Sequence, residues 1–147
     1  VREEITRRNL RKDLWVMGRS LGSISALELA YHYQEEMKGL IIESGFPSVV
    51  RLVTLFGMPS RGLGLEKIDQ ECLERIKKTF LPTLIIHGEQ DSLIPLENAK
   101  DIYQHLGTQE KKLLIIPSGT HNDIMLVGFR SYFNALQEFI EKTDRIK

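Results

Sequence analysis

One cysteine in 147 residues is the first constraint on this chain. Cys72 has no partner, which excludes an internal disulfide and any zinc site built on several cysteines. A reducing compartment such as the cytoplasm fits that usage, with location otherwise open. Net charge is lacking as well, since twenty basic and twenty acidic residues cancel. No cluster of Lys and Arg is interleaved with aromatics, so the electrostatic footprint of a nucleic-acid binder is missing. The basic residues at the front (Arg2, Arg7, Arg8, Arg11, Lys12) alternate with Glu3, Glu4 and Asp13, the pattern of a solvated helix face. No apolar run approaches the roughly 20 residues that span a bilayer, and no signal peptide is visible. The sequence starts at Val1 in a helix-like stretch, which leaves an upstream targeting segment open. No His, Cys, Asp and Glu cluster has metal-ligand spacing and no glycine-rich phosphate loop occurs, so neither a metal nor a cofactor is implied.

What is present is 41% hydrophobic content, enough for the core of one soluble domain. Residues 14–17, 39–45, 82–88 and 112–116 read as short apolar strands closed by turn residues. Between them lie helical spacings at 23–34 and 96–106, the latter ended by Gly107, and a last helix at 131–142. The stretch from Phe46 to Phe80 is different: two helical patterns, one through Val49, Val50, Leu52, Val53, Leu55 and Phe56, one through Ile68, Cys72, Leu73 and Ile76, flank the breaker Gly57–Gly64. It reads as a lid-like insertion at about 47–80. Buried strands alternating with helices predict an α/β fold, a mostly parallel sheet with helices on both faces.

The chain is organised around Gly18-Arg19-Ser20-Leu21-Gly22, which must reverse direction between a strand and a helix within one turn. G-x-S-x-G in that context is a nucleophile elbow. Both glycines are expected to be there because strand and helix nearly touch, and the turn lifts the Ser20 hydroxyl beside the positive end of the following helix. There the free N–H of Leu21 can meet a developing oxyanion.

A serine hydroxyl is a poor nucleophile without a base in reach and an acid to orient that base. In open parallel sheets such groups gather at the carboxyl ends of strands. Past the third strand lies His87-Gly88-Glu89-Gln90-Asp91-Ser92-Leu93-Ile94-Pro95, and past the fourth Pro117-Ser118-Gly119-Thr120-His121-Asn122-Asp123. Ser20, Asp91 and His121 thus follow in the chain order Ser, Asp, His. Glu43, at the end of the second strand, is an alternative acid. Asp123 reads as a cap or loop brace, His87 as structural, and His32 and His105, on helices, as surface or core-edge groups.

The H-G-x-x-D-x-x-I-P and G-x-H-N-D stretches, with the elbow, resemble the α/β-hydrolase superfamily, in particular its single-domain serine esterases and acyl-thioesterases. The resemblance covers nearly the whole chain, as the C-terminal portion of one domain over 1–147, and is weakest from about Pro47 to Lys78. It implies Ser20 as nucleophile, Asp91 as orienting acid, His121 as general base and acid, and the Leu21 N–H as one oxyanion donor. The substrate it implies is a small acyl ester or thioester, cleaved without a cofactor. Family members carry further strands upstream, and a loop there supplies a second oxyanion N–H. The strand before Ser20 is therefore expected at an uncovered sheet edge, awaiting an N-terminal half or a partner, and the 147 residues alone are expected to be inactive. A binding or assembly protein on the same fold, and a peptidase, are the alternatives. Phe46, Phe56, Met58 and the neighbouring Val and Leu residues are candidates for an acyl pocket or for plain core.

Overall fold

The two middle apolar runs are apolar enough to be covered from both sides, and they form the centre of the sheet. The computed structural model describes residues 2–9, 13–55, 57–58 and 64–145. Its elements in chain order are α1 (Arg2–Arg7), β1 (Trp15–Arg19), α2 (Gly22–Tyr33), β2 (Gly39–Glu43), α3 (Val49–Leu55), α4 (Leu65–Lys77), β3 (Thr83–Gly88), α5 (Glu97–His105), β4 (Lys111–Ile116), α6 (Ile124–Val127) and α7 (Phe129–Asp144), with one 3₁₀ turn at Gln34–Glu36. The four strands lie in the order β1-β2-β3-β4, all parallel. Every residue of β2 and β3 is buried.

The period-two alternation of a strand sends neighbouring side chains to opposite layers. Leu40, Ile42 and Ile85 face α2, α4 and α5, where they pack with Leu27, Ala30, Ile76 and Ile102. Ile41, Leu84 and Ile86 face the other way, against Ile124 of α6 and Tyr132 and Ala135 of α7. The far end of α7 is pinned to the start of β1 by the Trp15 indole N–H, which donates to Thr143 Oγ1 at 2.8 Å.

Helix α4, the second half of the insertion expected at 47–80, buries Cys72 and Ile76, and Ile76 belongs to the main core. Burial pushes the Cys72 thiol pKa up and keeps it a neutral core group. Helix α3 is tied to α4 through Asp69, whose carboxylate accepts the Ser48 hydroxyl and the Val49 N–H. Helix α6 has no counterpart in the sequence reading. It is a single turn, too short for a periodic pattern to register.

Among the described residues strand β1 pairs with β2 alone and lies at the sheet edge. It runs two residues further than its apolar run, because Gly18 and Arg19 continue the ladder opposite Ile42 and Glu43.

Candidate active site

The chain leaves β1 through Ser20, whose φ of +50° is the left-handed conformation that side chains other than glycine rarely adopt. Holding a serine there costs of order 1–3 kcal/mol, and the turn is fixed by two main-chain bonds. Ser20 N–H donates to the Glu43 carbonyl oxygen, and Ser23 N–H to that of Ser20, both at 2.9 Å. A Cβ on Gly18 would lie 2.4 Å from the Gly22 carbonyl oxygen and 2.6 Å from Ala26 Cβ, so strand and helix do touch at Gly18. Gly22 departs from the expectation, since a Cβ there would meet nothing within 4 Å. The close approach is made by the Gly22 backbone against Gly18, and only one of the two glycines answers a steric demand.

The acid loop and the histidine loop are packed against each other. A Cβ on Gly88 would collide with the Gly119 carbonyl oxygen at 2.4 Å, and that oxygen accepts the Gln90 N–H at 2.8 Å. Asp91 is buried between them. Its Oδ1 accepts the N–H groups of Leu93 (3.0 Å) and Ile94 (2.7 Å), and its Oδ2 lies 2.8 Å from His121 Nδ1. A carboxylate only accepts, so Nδ1 carries the proton and Nε2 presents its lone pair. That lone pair faces Ser20 Oγ at 3.1 Å. Ser20, His121 and Asp91, named from three separate loops, thus form one hydrogen-bonded path.

The other named residues fall elsewhere. Glu43 gives its two carboxylate oxygens to Arg19 Nε (2.9 Å) and the Tyr132 hydroxyl (2.5 Å) and does not reach the imidazole of His121. Burial first, and then the Glu43 hydrogen bond, push the Tyr132 pKa upward, so its hydroxyl stays the donor. Asp123 braces the histidine loop by accepting the Thr120 N–H at 2.6 Å. His87 is fully buried and donates from Nε2 to the Ile94 carbonyl oxygen at 2.7 Å, with Asp91 Oδ2 3.6 Å away. Its pKa is lowered, chiefly by burial, so the ring is neutral and leaves Asp91 to His121. His32 and His105 pair with Glu28 and Asp101 on their own helices. Phe46 is buried and, with Leu52, Leu93 and Ile94, walls a cavity of about 130 Å³; Met58 is exposed and Phe56 lies outside the described residues. Among the described residues no group of His, Cys, Asp and Glu could hold a metal ion, and no helix is long and apolar enough to cross a membrane.

What the sequence reading missed is Arg19. Its Nη2 donates to the His121 carbonyl oxygen at 2.6 Å and to Asn122 Oδ1 at 3.0 Å, joining the serine turn to the histidine loop. The available signal was two opposite charges, Arg19 and Glu43, each closing an otherwise apolar strand.

A family profile described as serine aminopeptidase, S33, matches residues 58–125, a stretch that holds Asp91 and His121 but not Ser20. Protein bem46 of Schizosaccharomyces pombe is 29% identical over 136 residues, covering 88% of this chain and 44% of its own length. The chain spans less than half the length of the curated relatives it matches first. Among solved structures, the α/β hydrolase MGS-MChE2, from a metagenome of lagoon sediments at Mar Chica, Morocco, superposes with a TM-score of 0.68 at 22% identity, over 97% of this chain and 67% of that one. The monoacylglycerol lipase of Paleococcus ferrophilus gives 0.70 at 13% identity, over 95% and 72%.

Proposed function

Starting from the membership of this chain in the α/β-hydrolase superfamily, we propose that Ser20 is the nucleophile of a serine hydrolase that cleaves carboxylic esters or thioesters through an acyl-enzyme. The observation that carries this reading is the path from Ser20 Oγ to His121 Nε2 and from His121 Nδ1 to Asp91. As Oγ attacks the acyl carbon, Nε2 takes the hydroxyl proton, and Asp91 stabilises the imidazolium and keeps its orientation. The carbonyl oxygen becomes an oxyanion beside the start of α2, where the first N–H groups of a helix have no partner within it; Leu21 supplies one of them. The tetrahedral intermediate collapses as His121 returns the proton to the leaving alcohol or thiol. Water, deprotonated by the same nitrogen, then releases the acid. No cofactor enters.

A second oxyanion donor belongs, by the family resemblance, to a loop outside these residues. The reading therefore extends to further polypeptide, or a partner, that pairs with the open side of β1. Losing one such donor costs about 2.7–4 kcal/mol of barrier, a factor of about 10²–10³ in kcat. In the lid-like insertion at 47–80, α4 is anchored by Ile76, which leaves α3 as the part that covers substrate. A cavity of about 130 Å³ beside the acid loop suits a short acyl tail better than a long one.

In the full-length protein, Ser20→Ala should abolish covalent labelling by a fluorophosphonate probe. Undiminished labelling of that variant would end the proposal. The aminopeptidase description of the matching family favours a second reading on the same three residues, cleavage of an amide at a peptide N-terminus. Faster turnover of aminoacyl arylamides than of acyl nitrophenyl esters, per labelled site, selects it.

A further inference from the structure

The His121 imidazole is bonded at both nitrogens, Nδ1 to Asp91 and Nε2 to Ser20 Oγ, and neither bond holds its main chain. The main chain of the same residue is held separately, from the serine side. Arg19, immediately before Ser20, donates from Nη2 to the His121 carbonyl oxygen at 2.6 Å and to Asn122 Oδ1 at 3.0 Å. The Arg19 side chain is 45% exposed, so burial does not fix its course. Glu43 does: it is 6% exposed, faces Arg19 across the last β1–β2 pair, and binds Nε at 2.9 Å. Its other oxygen is taken by the Tyr132 hydroxyl of α7 at 2.5 Å. A buried carboxylate is tolerated only when its acceptors are filled, and here both are. The guanidinium therefore lies across the strand ends in one orientation, with its remaining fork turned to the histidine loop.

We propose that Arg19 is a positioning residue that clamps the His121 main chain to the serine turn, with Glu43 and Tyr132 holding the guanidinium in place. The proposal rests on the reading of Ser20 and His121 as nucleophile and base. Because the clamp starts on the residue next to Ser20, a shift of the β1 end carries both reacting groups together. Lysine is a poor substitute, since one ammonium cannot reproduce the planar fork that bridges Glu43 and the His121 carbonyl.

The test compares Arg19→Ala, Arg19→Lys and Tyr132→Phe in the full-length protein, with Ser20→Ala as control. Active sites are counted by fluorophosphonate titration carried to completion, so that unfolded molecules drop out. Displacing a catalytic group by about 1 Å costs up to about 10²-fold. Arg19→Ala should accordingly lower kcat per titrated site by about 10- to 100-fold with KM changed less than about 3-fold. Arg19→Lys should recover only a small part of the loss, and guanidinium ion, well below denaturing concentration, should recover more. Tyr132→Phe, which keeps the ring, should show a milder loss of the same kind. Fewer titratable sites at an unchanged kcat per site would make Arg19 merely structural and overturn the clamp. A rise in KM at constant kcat would overturn it too, by placing Arg19 on the substrate. Labelling that survives Ser20→Ala removes the underlying reading and the clamp together, whereas normal turnover by all three variants beside an unlabelled Ser20→Ala removes the clamp alone.

Discussion

The two sides of the candidate site are built in different ways. Asp91 and His121 lie on loops after β3 and β4, buried and stitched to each other by the Gly88–Gly119 approach, the Gln90 N–H and the Asp123 brace. Ser20 lies at the end of an edge strand, and the apolar side chains around it, Met17 and Leu21, are 46% and 65% exposed. The Asp91–His121 pair is thus assembled by bonds inside these residues. The serine has a strained turn, one neighbouring strand and Arg19. A site of this kind has a self-sufficient half and a half that depends on its surroundings.

The largest effect tests the self-sufficient half. Asp91→Asn keeps an acceptor for the Leu93 and Ile94 N–H groups but presents an amide donor to His121 Nδ1, which forces the proton to the wrong imidazole nitrogen. On the proposed reading, the full-length protein should lose about 10⁴-fold in kcat on an ester substrate with little loss of stability. A drop below about tenfold would mean that the imidazole is oriented without Asp91, and the contrast between the two halves would fail.

Within the serine half, the two glycines of the turn sharpen the comparison. Gly18→Ala drives a Cβ into the Gly22 backbone and Ala26, neither of which can swing aside, and should cost about 2–4 kcal/mol in urea unfolding. Gly22→Ala meets open space in a helix whose φ is ordinary, and should change stability by less than about 1 kcal/mol. Equal costs would show that the space beside Gly22 is filled in the full-length protein.

That pair also shows where the sequence was readable. The strands stood out because β2 and β3 are covered on both faces and each carries an unbroken Leu-Ile-Ile run at its centre. The order of Ser20, Asp91 and His121 was legible because a parallel sheet collects its loops at one rim. G-x-S-x-G located the turn but treated its glycines alike, whereas the structure separates the one that meets a helix backbone from the one that does not. Arg19, Glu43 and Tyr132 were out of reach for a different reason. They come from β1, β2 and α7, 89 residues separate Glu43 from Tyr132, and their pairing depends on strand register and helix placement that no local pattern encodes. Helix α4 was read as part of a lid-like insertion from its helical spacing, which looks the same on a lid as on a core helix; the burial of Cys72 and Ile76 is set by packing that no local pattern encodes.

The smallest expected effect is a pH dependence that belongs to the buried half alone. Burial lowers the His87 pKa from the ordinary 6.5, outweighing its carbonyl bond to Ile94 and the nearby Asp91 charge, which push the other way. The unfolded chain then binds a proton at His87 that the folded chain refuses. Stability from this group is complete above about pH 6.5 and is lost as pH falls from there toward the lower folded-state value, at most about 1.4 kcal/mol per pH unit. His87→Gln keeps a neutral N–H donor for the Ile94 carbonyl without a titrating group, so its unfolding free energy should fall less than that of the wild type between pH 7.5 and pH 5.5. Amide exchange places the loss: at acid pH it should quicken first at Leu93 and Ile94, whose N–H groups rest on Asp91, and later at Ser23 in the serine turn. Parallel pH slopes in the two proteins would mean that the folded state accepts the proton at His87, and acid would then no longer distinguish the buried half of the site from the edge.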